Sequence, residues 1–208
     1  FARRHPWMDR AVKAGVWDKQ MGRSLSECTL GVVGVGTIGK AVIRRARAFG
    51  MTVLGNDIVE IDHVFLKENN VEMTRLEDLL NRSDFVSLNC DLNPTSRHLM
   101  NAHTLACMRR TGVLINTARG PIIDEPALVA TLQAGQIAGA ALDVYELEPL
   151  PASSPLIKMD NVMLAPHNAN SSPAAWERVH YNTLKNLLEG LDLPTDGLEK
   201  AYYQGVKP

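Results

Sequence analysis

The sequence predicts an α/β fold, a mostly parallel sheet with helices on both faces. Two observations carry this. Short apolar runs of strand length alternate with helical patterns from about residue 29 to 190, and the runs are nearly continuous in apolar character, as strands covered on both faces are. They number six or seven, beginning near 30, 51, 71, 84, 113, 137 and 162, with the one near 71 the least marked. These elements use nearly every residue in that span, so no room remains for a second full domain. Ligands of such sheets bind beyond the carboxyl ends of the strands. Polar residues collect at those ends: Gly34, Asp57, Asn89, Thr117, Arg119, Asp143 and His167.

Residues 7–17 carry Trp7, Met8, Ala11, Val12, Ala14 and Trp17 at helical spacing, with Trp17 as a packing anchor. A polar link over 19–28 leads to a strand over 30–33. A helix follows over 37–49, whose Arg44, Arg45 and Arg47 read as a solvated face. The next strand covers 51–55, and 57–73 is less regular, with an apolar patch at Val64, Phe65 and Leu66. Thr74 to Glu77 has the form of a capping box opening a helix through Leu80. A strand over 84–89 precedes a helix capped by Asn101 and stopped at Gly112. After a strand over 112–116, residues 124–132 are helical, with Pro126 in the first turn and Gly135 as the stop. Strands over 137–142 and 162–165 follow. Ser172 and Pro173 then open a long helix to about Leu188.

The stretch GVVGVGTIGK, residues 31–40, gives the fold a more specific character. Gly34, Gly36 and Gly39 form GxGxxG between a strand and a helix. The first glycine suits a tight turn, the second leaves room for a pyrophosphate, and the third lets helix and strand approach. Free amides at the helix start then hold the phosphates. Asp57 ends the next strand 18 residues after Gly39, where a carboxylate accepts hydrogen bonds from the adenosine ribose. A carboxylate repels a 2′-phosphate, and no arginine immediately follows to neutralise one. The expectation is a Rossmann-type doubly wound parallel sheet, three-layer α/β/α, that binds NAD rather than NADP.

Composition excludes several alternatives. A net charge of −1 offers no footprint for nucleic acid. Three cysteines without a CxxC pattern suggest neither a metal site nor a disulfide framework. No apolar run approaches the ~20 residues of a membrane span, and no apolar signal region opens the chain, so a cytoplasmic protein is expected. The chain lacks an initial methionine and begins in mid-pattern, and is expected to be a fragment.

Three ionisable residues follow strands where a core explanation is weakest. Arg119, in NTARG, can clamp a carboxylate and polarise a neighbouring carbonyl. His167, in APHNAN, can exchange a proton near neutral pH, and Glu148, in DVYELEPL, can orient it. Together with GVVGVGTIGKAV, LNCDLNPTSRHLMN, LINTARGPIIDEPALVATLQAGQIAGAALDVYELEP and APHNA, they make the chain similar to the nucleotide-binding domain of the D-isomer-specific 2-hydroxyacid dehydrogenase family, over about residues 17–190.

The resemblance implies an NAD-dependent oxidoreductase that interconverts a D-2-hydroxy acid and its 2-oxo acid. It assigns Arg119 to the substrate carboxylate and 2-oxo group, His167 to acid–base chemistry and Glu148 to the histidine's partner. Glu146 is left as a solvated side chain. The cofactor set is Gly34, Gly36, Thr37, Ile38, Gly39, Asp57, Cys90, Asp91, Thr117, Ala118 and Asp143, with Arg119 and His167 shared between the two sets.

Two departures concern the substrate: Asp91-Leu92-Asn93 stands where the family commonly has proline and then Leu-Thr, and Asn168 replaces an aliphatic residue. The second block is also similar to formate dehydrogenases, but these have glutamine where Glu148 stands, so a hydroxyacid is favoured. A non-catalytic, corepressor-like NAD(H)-binding protein on the same scaffold remains an alternative. The family also implies a homodimer through this domain. The expected organisation is a connecting helix and link over 1–18, the NAD-binding domain over 19–190, and a tail over 191–208 that packs on a substrate domain outside this chain. Without that domain the chain is expected to bind cofactor but turn over poorly.

Overall fold

The computed structural model describes residues 1–198. The chain divides into two compact units, Phe1–Pro166 and His167–Pro208. The first contains α1 (His5–Lys13), β1 (Thr29–Val33), α2 (Thr37–Ala48), β2 (Thr52–Asn56), α3 (His63–Glu68), β3 (Val71–Met73), α4 (Leu76–Arg82), β4 (Phe85–Leu88), α5 (Ala102–Ala106), β5 (Val113–Asn116), α6 (Glu125–Gln133), β6 (Gly139–Leu142) and β7 (Val162–Leu164). The second contains α7 (Pro173–Gly190), capped by Ser172, whose side chain accepts from the Ala175 amide. The last ten residues of the expected tail lie outside the described residues.

All seven strands are parallel, in the order β3-β2-β1-β4-β5-β6-β7. The chain therefore winds outward from β1 in one direction and then from β4 in the other, with the switch between those two central strands. Alternation along each strand feeds two separate cores. Leu30, Val32 and Val53 face Ile43 and Ala46 of α2 and Phe65 of α3. Val33, Leu54, Val86, Leu88 and Leu114 face Leu79 and Leu80 of α4, Leu105 of α5, and Leu128 and Leu132 of α6. This is the expected three-layer arrangement. Because every strand runs the same way, their carboxyl ends share one edge.

The opposite edge is held by Asp84, which is buried. Its carboxylate accepts from the Thr29 amide at 2.8 Å, and Arg23 and Arg109 approach Oδ1 at 3.0 and 3.1 Å. The backbone of Asp84 also bonds to Thr29 and Val113, so one residue joins the starts of β1, β4 and β5.

Several local expectations need correction. The region after Asp57 contains α3, started by Asp62, whose carboxylate accepts from the Val64 amide. Thr74 does not cap α4: the N-cap is Arg75, without a side-chain bond. Thr74 is instead tied to β2, its amide donating to Gly55 and its carbonyl accepting from the Asn56 amide group. Trp17 is 86% exposed and so is no packing anchor within this chain. Asn101 caps α5 as expected, although α5 ends early, at Ala106, and α6 is capped by Asp124, whose side chain accepts from the Ala127 amide. Among the described residues, no helix is long and apolar enough to cross a membrane, and no cluster of His, Cys, Asp or Glu could hold a metal ion.

Candidate nucleotide-binding and catalytic site

The glycine turn joins β1 to α2 and requires glycine for two separate reasons. Gly34 has φ +88°, and a Cβ there would lie 2.5 Å from the Cys90 amide nitrogen. At Gly39 a Cβ would lie 2.0 Å from the carbonyl oxygen of Gly34, so the turn and the helix would have to separate. Gly36 differs, because a Cβ there would meet nothing within 4 Å. Packing does not demand glycine at that position, but a ligand approaching the helix start would. No side chain caps α2, which leaves the first-turn amides of Thr37, Ile38 and Gly39 open to an anion. These residues fit a dinucleotide pyrophosphate.

Asp57 follows β2 and has two tasks. Its Oδ2 accepts from the Val35 amide at 2.6 Å, inside the glycine turn, and its Oδ1 accepts from Val59 at 3.1 Å. The carboxylate thus shapes the turn. The next two side chains, Ile58 and Val59, are exposed and apolar.

Next to the turn, Ile38, Cys90, Asp91, Thr117, Ala118 and Arg119 line one cleft of about 330 Å³, together with Leu88, Asn89 and Leu92. Residues from α2 and from the segments after β4 and β5 are therefore brought together. Burial pushes the Cys90 thiol above the ordinary thiol range, and the carboxylates of Asp57 and Asp91 push the same way.

Arg119 is exposed, but its backbone is fixed by Asn116, which is fully buried. The Asn116 side chain accepts from the Ala118 amide at 3.0 Å and donates to the Arg119 carbonyl at 2.9 Å. Gly120 follows with no room for a side chain: a Cβ would lie 1.8 Å from the Tyr145 carbonyl oxygen. Tyr145 in turn organises the segment after β6. Its amide donates to Glu148 Oε1 at 3.0 Å. Its hydroxyl lies 3.1 Å from the Leu142 carbonyl and 2.8 Å from that of Ala165. Burial raises the phenol's pKa, keeping it a neutral donor. Asp143 is buried at the end of β6.

Glu146 is not solvated. It is half-buried and pairs with His98. Asn116, Gly120, Tyr145, His98 and Glu146 had no role in the sequence reading. For Asn116 a signal existed, since Asn at a strand end followed by small residues favours a turn closed by its own side chain. His167 belongs to the second unit, where it is exposed with φ +53°, while Arg119 and Glu148 belong to the first.

A family model described as D-isomer specific 2-hydroxyacid dehydrogenase, NAD binding domain, matches residues 1–169. The chain belongs to this family. A glyoxylate reductase of Korarchaeum cryptofilum is 43% identical over 193 residues, covering 90% of this chain and 58% of that protein. Among solved structures, the D-lactate dehydrogenase of Aquifex aeolicus, complexed with NAD and lactic acid, superposes with a TM-score of 0.84 at 31% identity. That match covers 92% of this chain and 62% of the other. A D-isomer specific 2-hydroxyacid dehydrogenase from Xanthobacter autotrophicus, in complex with NADPH and MES, gives 0.76 at 36% identity, covering 93% and 79%. The chain thus spans a little over half the length of the glyoxylate reductase, and what it shares with the family is the NAD-binding domain.

Proposed function

We propose that the chain carries the cofactor-binding and acid–base half of an enzyme that interconverts a D-2-hydroxy acid and its 2-oxo acid. The observation supporting this reading most directly is the cleft where Arg119 stands beside the glycine-turn helix and the Cys90–Asp91 segment. Gly34, Gly36, Thr37, Ile38 and Gly39 hold the pyrophosphate, and Asp57 holds the adenosine ribose, with NAD preferred over NADP. Cys90, Asp91, Thr117, Ala118 and Asp143 border the nicotinamide half. The cofactor, when bound, supplies or accepts hydride at its nicotinamide ring.

The chain's own residues do the rest. Arg119 grips the substrate carboxylate and draws electron density from the 2-oxo group, making its carbon a better hydride acceptor. His167 gives a proton to the carbonyl oxygen in reduction and takes it back from the hydroxyl in oxidation. Glu148 is the histidine's carboxylate partner and orients its ring. Water exclusion and substrate choice require a substrate domain, and for that reason the 208-residue chain alone binds NADH but turns over poorly.

A second copy of the chain is the proposed partner. The exposed apolar side chains Val12, Val16, Trp17 and Met21, two of them more than 80% exposed, support pairing through this domain. Light scattering should give twice the chain mass, and charged substitutions at Trp17 and Met21 should halve it.

The test of function is a panel of 2-oxo acids, including glyoxylate and pyruvate, assayed with NADH and NADPH on the full-length protein. Turnover with NADH supports the reading. Tight NADH binding without turnover of any of them would replace it with a sensor.

A further inference from the structure

One side-chain pair in the first unit lies outside all the roles above. His98 stands on the segment after β4 and Glu146 on the segment after β6, 48 residues apart in the chain. Their Nε2 and Oε1 atoms are 2.5 Å apart, and both side chains are partly buried, 38% and 27% exposed. An exposed ion pair of this kind would carry little meaning. This one is embedded. The His98 backbone is left-handed, at φ +49°, a conformation that residues other than glycine rarely adopt without support. Support comes from its amide, which donates to the Pro121 carbonyl, and its carbonyl, which accepts from the Asn101 side chain. On the other side, the Glu146 amide donates to Glu125 Oε2 at 3.2 Å, at the start of α6.

Arg119 and Glu148 depend on the segments so joined. The Met100 amide donates to the Ile122 carbonyl, and the Asp124 amide donates back to Met100, so the segment after β4 runs alongside 120–124. Gly120 presses on the Tyr145–Glu146 peptide, and the Tyr145 amide holds Glu148. The segment carrying Arg119 therefore lies between two others, and the His98–Glu146 bond is a side-chain link closing them around it. Glu146 sits between Tyr145 and Glu148, so moving it would move both.

We propose that His98 and Glu146 are positioning residues. Their hydrogen bond sets the approach of the Glu148 segment to Gly120 and Arg119, and so the geometry in which the substrate's carboxylate and carbonyl are presented. This rests on the reading of Arg119 and Glu148 as the substrate-handling residues. Misplacement by about 1 Å can cost on the order of 10²-fold in rate without any lost contact to substrate. The expected signature is a loss in kcat with cofactor binding intact.

The experiment compares His98→Asn, Glu146→Ala, the double variant and Glu146→Gln in the full-length protein. Asparagine tolerates the left-handed backbone but is too short to reach Glu146, while glutamine keeps an acceptor at the right length. The measurements are kcat and KM for a 2-oxo acid, the NADH dissociation constant, and amide hydrogen exchange by peptide. Expected are a fall in kcat of about tenfold for His98→Asn and for Glu146→Ala, a double variant no worse than the poorer of these two, and most of the rate kept in Glu146→Gln. NADH affinity should stay within about twofold of wild type, and exchange should quicken over 119–124 and 143–148 but not over 52–56. Unchanged kcat and exchange, losses that multiply in the double variant, or exchange rising across the whole domain would each overturn the proposal. If the wild-type protein reduces no 2-oxo acid, the enzymatic reading fails separately. The exchange pattern then still decides whether the pair holds these segments.

Discussion

The two halves of the site are built on opposite principles. The glycine turn is made of backbone: Gly34 and Gly39 are set by what a Cβ would strike, and α2 offers bare amides rather than side chains. The segments after β4, β5 and β6 are made of side-chain cross-links, from Asn116 to the Arg119 backbone, from Tyr145 to the ends of β6 and β7, and from His98 to Glu146. Backbone construction suits a ligand whose phosphates look alike in every dehydrogenase. Cross-linked construction suits a reaction in which a charged group must meet one carbon atom within a fraction of an ångström.

If this contrast is right, damage to one half should leave the other readable. The largest effect should come from Arg119→Ala, which removes the proposed carboxylate clamp but nothing that shapes the turn. A fall in kcat/KM of about 10²- to 10³-fold is expected, with the NADH dissociation constant nearly unchanged in a fluorescence titration. Comparable loss of NADH binding would merge the two halves.

Gly39→Ala attacks the backbone side, since its methyl would sit 2.0 Å from a carbonyl oxygen. Stability should drop by about 2–3 kcal/mol, read from urea unfolding, with NADH binding weakened at least about tenfold. An alanine variant of wild-type stability would show that the turn has slack.

Asp57→Ser sharpens the contrast, because this side chain serves the turn through Val35 and the ribose as well. NADH affinity is expected to fall about 10- to 30-fold, while NADPH affinity changes less, moving the ratio toward NADPH. Equal losses for the two cofactors would leave Asp57 a turn-former alone.

The smallest effect concerns Cys90, which borders both halves. Burial raises its pKa, so the thiolate is scarce at neutral pH and grows only as pH passes above the ordinary thiol range. Alkylation followed by mass spectrometry should therefore be slow at pH 7, faster toward pH 9, and slower again with saturating NADH. Rapid labelling at pH 7 that ignores NADH would remove Cys90 from the cofactor cleft.

Legibility in the sequence follows the same division. Gly34, Gly36, Gly39 and Asp57 could be read because they stand at a fixed spacing, a GxGxxG turn and then a carboxylate at the end of the next strand. Caps at Asn101 and Ser172 were readable because each bonds within three residues. Helix α3 was not, being a six-residue element whose cap, Asp62, lies in a run of polar residues. Thr74 misled because its backbone answers to β2, a partner about 18 residues away that no local pattern reveals. Glu146 misled most, since its environment depends on His98, and nothing near either residue announces the other.

Asp84 has a consequence for how such a protein can diversify. One residue, through its carboxylate and its backbone, ties the starts of three central strands, at the edge away from every residue assigned to chemistry. Segments at the working edge can then be exchanged with those of relatives while the strands keep their register. Recombination among family members should succeed most often when the crossover points fall inside β1, β4 or β5 and the Asp84 joint passes intact from a single parent. A barrel or sandwich whose loops share load with its strand starts would offer no such seam.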